Sequence, residues 1–242
     1  MSTSSTHDFP ALSSGLRRNA DGPMGAGKAI MTKVRLCLVT FGVIVGIVGV
    51  LHGSAELLQG STLVEGRSVE ALPEGWPNSE FNSMTRGSPV FSILTDIPFY
   101  VLGILAISVS VALIVSSVTI IKKRELGIAS LLFALLSVGV FLFGAGRGTP
   151  VAVSLPVVIA GLLSAARTET RERTELSKRR ILRAFKSFYW LHIGSWILFF
   201  PGLFVFSFYA EIPTALFLFA FVSMPIGALG ALAFGYQYDK AI

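Results

Sequence analysis

Residues 33–60 read KVRLCLVTFGVIVGIVGVLHGSAELLQG, and this stretch decides the class of fold. After Lys33 and Arg35 no charged side chain occurs until Glu56. About 20 apolar residues in a helix cross a hydrocarbon layer of ~30 Å, so this run is long enough to span a bilayer. Five more apolar runs follow, at about 97–121, 126–143, 151–166, 182–208 and 212–236. The chain is expected to be all-α: a polytopic membrane helix bundle of six transmembrane helices.

Charge sets the orientation. Seventeen of the 20 Lys and Arg residues fall in four segments that alternate with the apolar runs, and only Arg67, Arg86 and Arg147 lie elsewhere. Cytoplasmic connections collect Lys and Arg. With Arg17, Arg18, Lys28, Lys33 and Arg35 inside, Lys122, Lys123 and Arg124 are inside too, as are the eight basic residues of 167–186. Glu65, Glu70, Glu74, Glu80 and Glu211 are then outside, which gives an N-in, C-in topology in a bacterial inner membrane. A five-span version would bury or export a strongly basic loop.

The composition belongs to the same class: 52% of residues are hydrophobic, 14% are charged, and the mean hydropathy is +0.70. The net charge of +6 is assigned to loops facing anionic lipid, not to nucleic acid. Cys37, the single cysteine, lies in an apolar run and has no internal disulfide partner. Residues 1–32 are rich in Ser, Gly, Ala and Pro and read as a disordered cytoplasmic tail. Met24 and Met31 leave a downstream start open. A cleaved signal peptide ending near Gly53-Ser54-Ala55 is disfavoured by the charged lead of more than thirty residues. The remaining organisation is a four-span unit over 33–166 with an outer loop at 59–92, a basic linker or helix at 167–186, and a two-span hairpin with a short cytoplasmic tail at 187–242. Pro150 and Pro156 interrupt the fourth span, which argues for a central place where protein satisfies its irregular backbone.

The most specific local pattern is His52-Gly53-Ser54-Ala55-Glu56-Leu57-Leu58-Gln59-Gly60 at the outer end of the first span. At about 100° per residue from Gly49, Gly42, Gly46, Gly53 and Gly60 lie within about 60° on one side and Glu56 only about 20° on the other. Gly42/Gly46 and Gly49/Gly53 are small-xxx-small pairs that admit a neighbouring helix. The carboxyl of Glu56 is therefore expected to point at a helix and not at lipid. His52 precedes it by one turn and can meet it. A proton or cation site at His52, Glu56 and Gln59 is one reading, with Arg147 as counter-ion. An interfacial polar cluster that ties the first span to the following loop is preferred.

Asp96-Ile97-Pro98 and Glu211-Ile212-Pro213 each precede a span on the outer side. Asp96 and Glu211 are expected to be helix caps and not site residues. His192 is the other intramembrane histidine and a candidate axial ligand for a haem or chlorin, although a hydrogen bond to a neighbouring helix is the preferred role. His52 lies about 27 Å and His192 about 15 Å from the cytoplasmic ends of their spans, too far apart in depth to share a metal. Gly22-Pro23-Met24-Gly25-Ala26-Gly27-Lys28-Ala29 imitates a phosphate-binding loop, but Ala29 stands where Ser or Thr is required and no strand precedes it. With no Ser-His-Asp set, CxxC or HExxH, no catalytic residue, metal or cofactor is expected.

The run from His52 to Gly60 resembles a bacterial family of small polytopic membrane proteins that carry His-Gly-x-x-Glu-x-x-Gln-Gly at the end of their first span. Further similar stretches are Thr95-Asp96-Ile97-Pro98, Gly103-Ile104-Leu105-Ala106-Ile107, and Gly144-Ala145-Gly146 through Pro150. The resemblance covers about 34–166 and implies the four-span architecture, with His52, Glu56 and Gln59 as shared residues. It implies no activity, and Asp96 stands where the family is usually apolar.

The functional expectation is a non-enzymatic accessory or scaffold subunit of a membrane assembly. It rests on the lack of a midplane polar pathway and on small-residue seams at 42–53 and at Gly227, Ala231 and Gly235, which either invite a membrane protein partner or a second copy or are satisfied within the chain. A small transporter or channel with an outer-leaflet site at Glu56 and His52 is the alternative. A haem- or pigment-bearing electron-transfer subunit using His192 or His52 as a ligand comes after it. The other expected partner is anionic lipid at the cytoplasmic face, especially along the amphipathic linker.

Overall fold

The structure is a computed structural model, and it describes residues 32–70, 90–121, 125–145, 149–165 and 174–241. Six long helices account for most of these residues: α1 (Lys33–Leu58), α2 (Phe99–Ser116), α3 (Leu126–Leu142), α4 (Thr149–Ala165), α5 (Glu175–Ile197) and α6 (Thr214–Asp239). The only strands among the described residues are β1 (Ser68–Val69) and β2 (Val90–Phe91), paired antiparallel with Ser68 opposite Phe91 and Val69 opposite Val90. Four helical segments, 33–58, 99–121, 175–206 and 214–239, are long and apolar enough to cross a membrane.

The helices lie where the apolar runs are, because a backbone in hydrocarbon satisfies its N–H and C=O groups most simply within its own helix. Their outward surfaces carry large apolar side chains, among them Leu131, Leu135, Ile104, Phe221 and Leu229. Their inward surfaces are small or hydroxylated, with Ser110, Ser117, Ser130 and Ser137 fully buried. An apolar exterior of this extent suits a lipid solvent.

Glycines set the helix pairings. A Cβ on Gly103 of α2 would come within 2.6 Å of the Gly53 carbonyl oxygen, so α1 and α2 meet almost backbone to backbone. Farther toward the start of α1, the hydroxyls of Ser110 and Ser117 occupy the notches left by Gly49 and Gly42. On the other side of the bundle, Gly227 lies against the backbone of His192, Gly230 against the Phe188 ring and Gly235 against Phe185, which brings α6 antiparallel along α5. Both small-residue seams are thus filled from within the chain.

Two features depart from the sequence reading. The fifth apolar run is not one regular helix: Phe200 has φ −113° and ψ 64°, and a wider helical segment spans Leu198–Leu203 before a last turn at Phe204–Phe206. Pro201 is the cause, since it lacks an N–H and its ring collides with the carbonyl four residues earlier. The described parts of the connection between α1 and α2, 59–70 and 90–98, are also more than a simple link. Their backbone pairs with itself and with helix ends: Val64 N–H donates to Ile97 O at 2.8 Å, Phe99 N–H to Thr62 O at 2.9 Å and Ile93 N–H to Leu142 O at 2.9 Å. Val64, Val69, Val90, Phe99 and Leu102 form a small core there, with Leu94, Ile97 and Phe143 packed against it. This cap packs at the end of α1, the start of α2 and the end of α3.

Candidate functional site

Small and polar residues recur every seventh position on three neighbouring helices: Gly42, Gly49 and Glu56 on α1, Gly103 and Ser110 on α2 with Ser117 just past its end, and Ser130 and Ser137 on α3 with Gly144 just past its end. A seven-residue period keeps one seam facing its neighbours along their length. Two levels of that seam pair a glycine of α1 with a serine, Gly49 with Ser110 and Gly42 with Ser117. At the third level, nearest the end of α1, the helix carries Glu56 instead of glycine.

Glu56 is fully buried. It faces the turn after α3, where Gly144 has φ +80° and the Leu102 side chain stands alongside. A Cβ at position 144 would come within 2.5 Å of Glu56 Oε1 and 3.3 Å of Leu102 Cδ2. Gly144 is therefore required twice, once for the left-handed backbone and once for the space the carboxyl uses. Neither Oε1 nor Oε2 has a hydrogen-bond partner among the described residues. Buried polar groups are nearly always paired, so an orphaned carboxyl marks either a functional group or a missing ion or water.

The expected companions of Glu56 are distributed differently. His52 is half-buried and makes no hydrogen bond to Glu56, so the one-turn pairing does not form. Gln59 turns toward the loop, and its Nε2 donates to the Glu70 carbonyl at 3.0 Å. That contact fits the tether reading for Gln59 alone. Arg147 lies outside the described residues.

Asp96 and Glu211 are not helix caps. The N-caps are Pro98 for α2 and Pro213 for α6, with no side-chain cap bond at either. Asp96 instead takes φ 60° in an exposed turn whose N–H donates to Val64 O at 3.0 Å. Asp tolerates that left-handed conformation better than most residues, so the cap's tight turn claims it ahead of the helix end. Glu211 is exposed.

His192 is buried between helices. Its Nδ1 lies 2.8 Å from the Met224 carbonyl oxygen, a geometry in which the nitrogen donates, and its ring stacks near Phe41 with centroids 4.3 Å apart. Nε2 has no hydrogen-bond partner among the described residues. Phe41 and Trp196 pack around the ring and Gly227 touches the backbone behind it. His192 therefore joins α5 to α6, and its Nε2 is the nitrogen with a lone pair to offer.

Sequence reasoning missed a second carboxylate. Asp239, in the last residue of α6, accepts from Lys33 N–H at 2.8 Å and from Val34 N–H at 2.9 Å. It closes the N-terminus of α1, where free amides and the helix dipole favour an anion. The available signal was Asp239 itself, since an acid in a helix's final turn sits against the negative end of its own dipole and is better placed against another helix's start. Comparison with protein-family models, with curated proteins and with solved structures gives no match for this chain.

Proposed function

We propose that this chain is a six-span, N-in/C-in integral membrane protein of the bacterial cell membrane, non-enzymatic, and that Glu56 is a proton- or cation-exchanging group near the outer leaflet. This is the small-transporter reading. The observation that carries it is the fully buried carboxyl of Glu56, both of whose oxygens lack a partner among the described residues. A carboxylate alone in an apolar seam costs several kcal/mol, roughly, even after relaxation, so the group takes up a proton or a mobile cation. The cap over Glu56 separates it from outer water, as an exchanging site requires when closed.

The hydrogen bonds from α1 to Asp239 hold the start of the first helix beside the end of the last, which supports an even number of crossings. The basic segments at 122–124 and 167–186 support the inward orientation. The accessory-subunit reading rested on small-residue seams and on the lack of a midplane polar pathway, and the seams pack against the chain's own helices. A haem-bearing reading would use Nε2 of His192, and an absorbance spectrum of protein purified from its own membrane tests it.

The test of the main reading is proton flux into vesicles containing the full chain, followed with an internal pH dye. Glu56→Gln should abolish flux while abundance and elution profile stay those of the wild type. Loss of the folded protein in that variant would make the carboxyl structural and remove the proposal.

A further inference from the structure

α5 begins well before its apolar part. Ile181 and Phe185 are buried on its inward face, with Phe185 against Gly235 and the Lys33 side chain. At 100° per residue, Arg179, Arg183, Lys186 and Trp190 fall within an arc of about 60° on the opposite face. All four are exposed, Trp190 at 63%. The same stripe continues to Ile197, which is 59% exposed. One outward line therefore passes from three cations through an indole to bare hydrocarbon side chains.

Among the described residues Arg183 and Lys186 form no ion pair, and Arg179 feels Glu175 one turn away without forming one. Lys178, off that stripe, is held by Glu175 at 2.9 Å, the only ion pair among the described residues. Other cations at this end lie over rings: Lys33 Nζ is 5.4 Å from the Tyr238 ring centre and Lys240 Nζ is 5.1 Å from that of Tyr236. Arg179, Arg183 and Lys186 have no ring contact of this kind among the described residues.

Indole rings settle at the boundary between hydrocarbon and headgroups. With Trp190 there, Lys186 stands about 6 Å and Arg183 about 10 Å farther out along the helix, at the depth of lipid phosphates and just beyond it. Arg179, at about 16 Å, is within a Debye length of that surface. Arg forks bind phosphate oxygens two at a time, and Lys supplies a compact third charge.

We propose that Arg179, Arg183 and Lys186 form a binding site for the phosphate of an anionic phospholipid in the cytoplasmic leaflet, with Trp190 seating the glycerol and upper acyl region. The site is independent of Glu56 and of any transport activity. It is more specific than a general attraction of the basic face, because Arg180 lies about 100° around the helix from Arg179 and is excluded from it.

The test is native mass spectrometry of the full chain in mild detergent, titrated with dioleoyl phosphatidylglycerol or dioleoyl phosphatidylcholine. The wild type should retain phosphatidylglycerol at concentrations where phosphatidylcholine is lost. R179Q/R183Q/K186Q should weaken that retention about a hundredfold, at roughly fivefold per cation near the surface. Arg180→Gln should change it less than twofold, and both variants should keep the wild-type elution profile, since all these side chains are exposed. Equal retention of the two lipids would overturn the site. So would wild-type retention in the triple variant, an Arg180→Gln effect as large as that of a stripe residue, or displacement by millimolar inorganic phosphate. If the triple variant does not fold, the single variants Arg183→Gln and Lys186→Gln carry the test, each expected to weaken retention about fivefold.

Discussion

Two carboxyl groups are held inside this bundle, one at each end, and they are treated in opposite ways. Asp239 meets the N-terminus of α1 and accepts two backbone N–H groups at 2.8 and 2.9 Å. Glu56 lies near the other end of the same helix, beside the cap, and accepts none among the described residues. The difference follows from helix polarity. The start of a helix offers free amides, whereas residues near its end find only carbonyl oxygens of the same sign as themselves. A carboxylate at the first place is a fastener. At the second it has no structural reward, so its presence calls for a role outside stability.

Four substitutions sharpen that contrast, and each is read by thermal unfolding of the full chain in detergent. The largest effect belongs to Gly144→Ala, where a left-handed backbone and the collision with Glu56 Oε1 act together. A loss of about 3 kcal/mol is expected. Pairing it with Glu56→Ala should recover part of the loss by removing the collision, and no recovery would mean that backbone strain alone governs the site.

Asp239→Ala comes next, at about 1–2 kcal/mol, the usual value of a lost N-cap. Unchanged stability there would mean that the bonds between the ends of α1 and α6 are dispensable, and would remove the contrast between the two acids. Gln59→Ala should cost about 1 kcal/mol through loss of its bond to the Glu70 carbonyl. A larger loss would show that Gln59 anchors the whole cap.

Glu56→Gln should have the smallest effect, under about 1 kcal/mol, because a neutral side chain of the same size replaces a group with no partner to lose. Were the carboxylate half of a buried ion pair, the loss would be about 3–5 kcal/mol instead. The order of the Asp239 and Glu56 variants, more than either value, distinguishes a fastener from an exchangeable group.

The helices were legible in the sequence because lipid imposes a length and a composition on each, and the glycine periodicity of α1 was enough to turn Glu56 toward a neighbour. Other features were hidden for physical reasons. The partner amides of Asp239 are about two hundred residues away along the chain, and no local pattern connects them. The cap depends on backbone bonds between two loop segments, Thr62–Val64 and Ile97–Phe99, which side-chain pattern does not encode. Asp96 and Glu211 looked like caps because acid-x-Pro suits a helix start, yet the proline itself takes the N-cap position in both places. Pro201 was visible, but an apolar run of that length does not reveal whether a proline kinks its helix.

The central claim is that Glu56 carries an exchangeable proton or cation and not a fixed structural partner. Infrared difference spectroscopy between the wild type and Glu56→Gln, in lipid at neutral pH and in the absence of added metal cations, tests it most directly. The account predicts a protonated-carboxyl stretch that disappears in the variant and shifts on exchange into deuterated water. A carboxylate band in its place, unchanged by pH and unresponsive to added cations, would show a permanently paired ion and would contradict it.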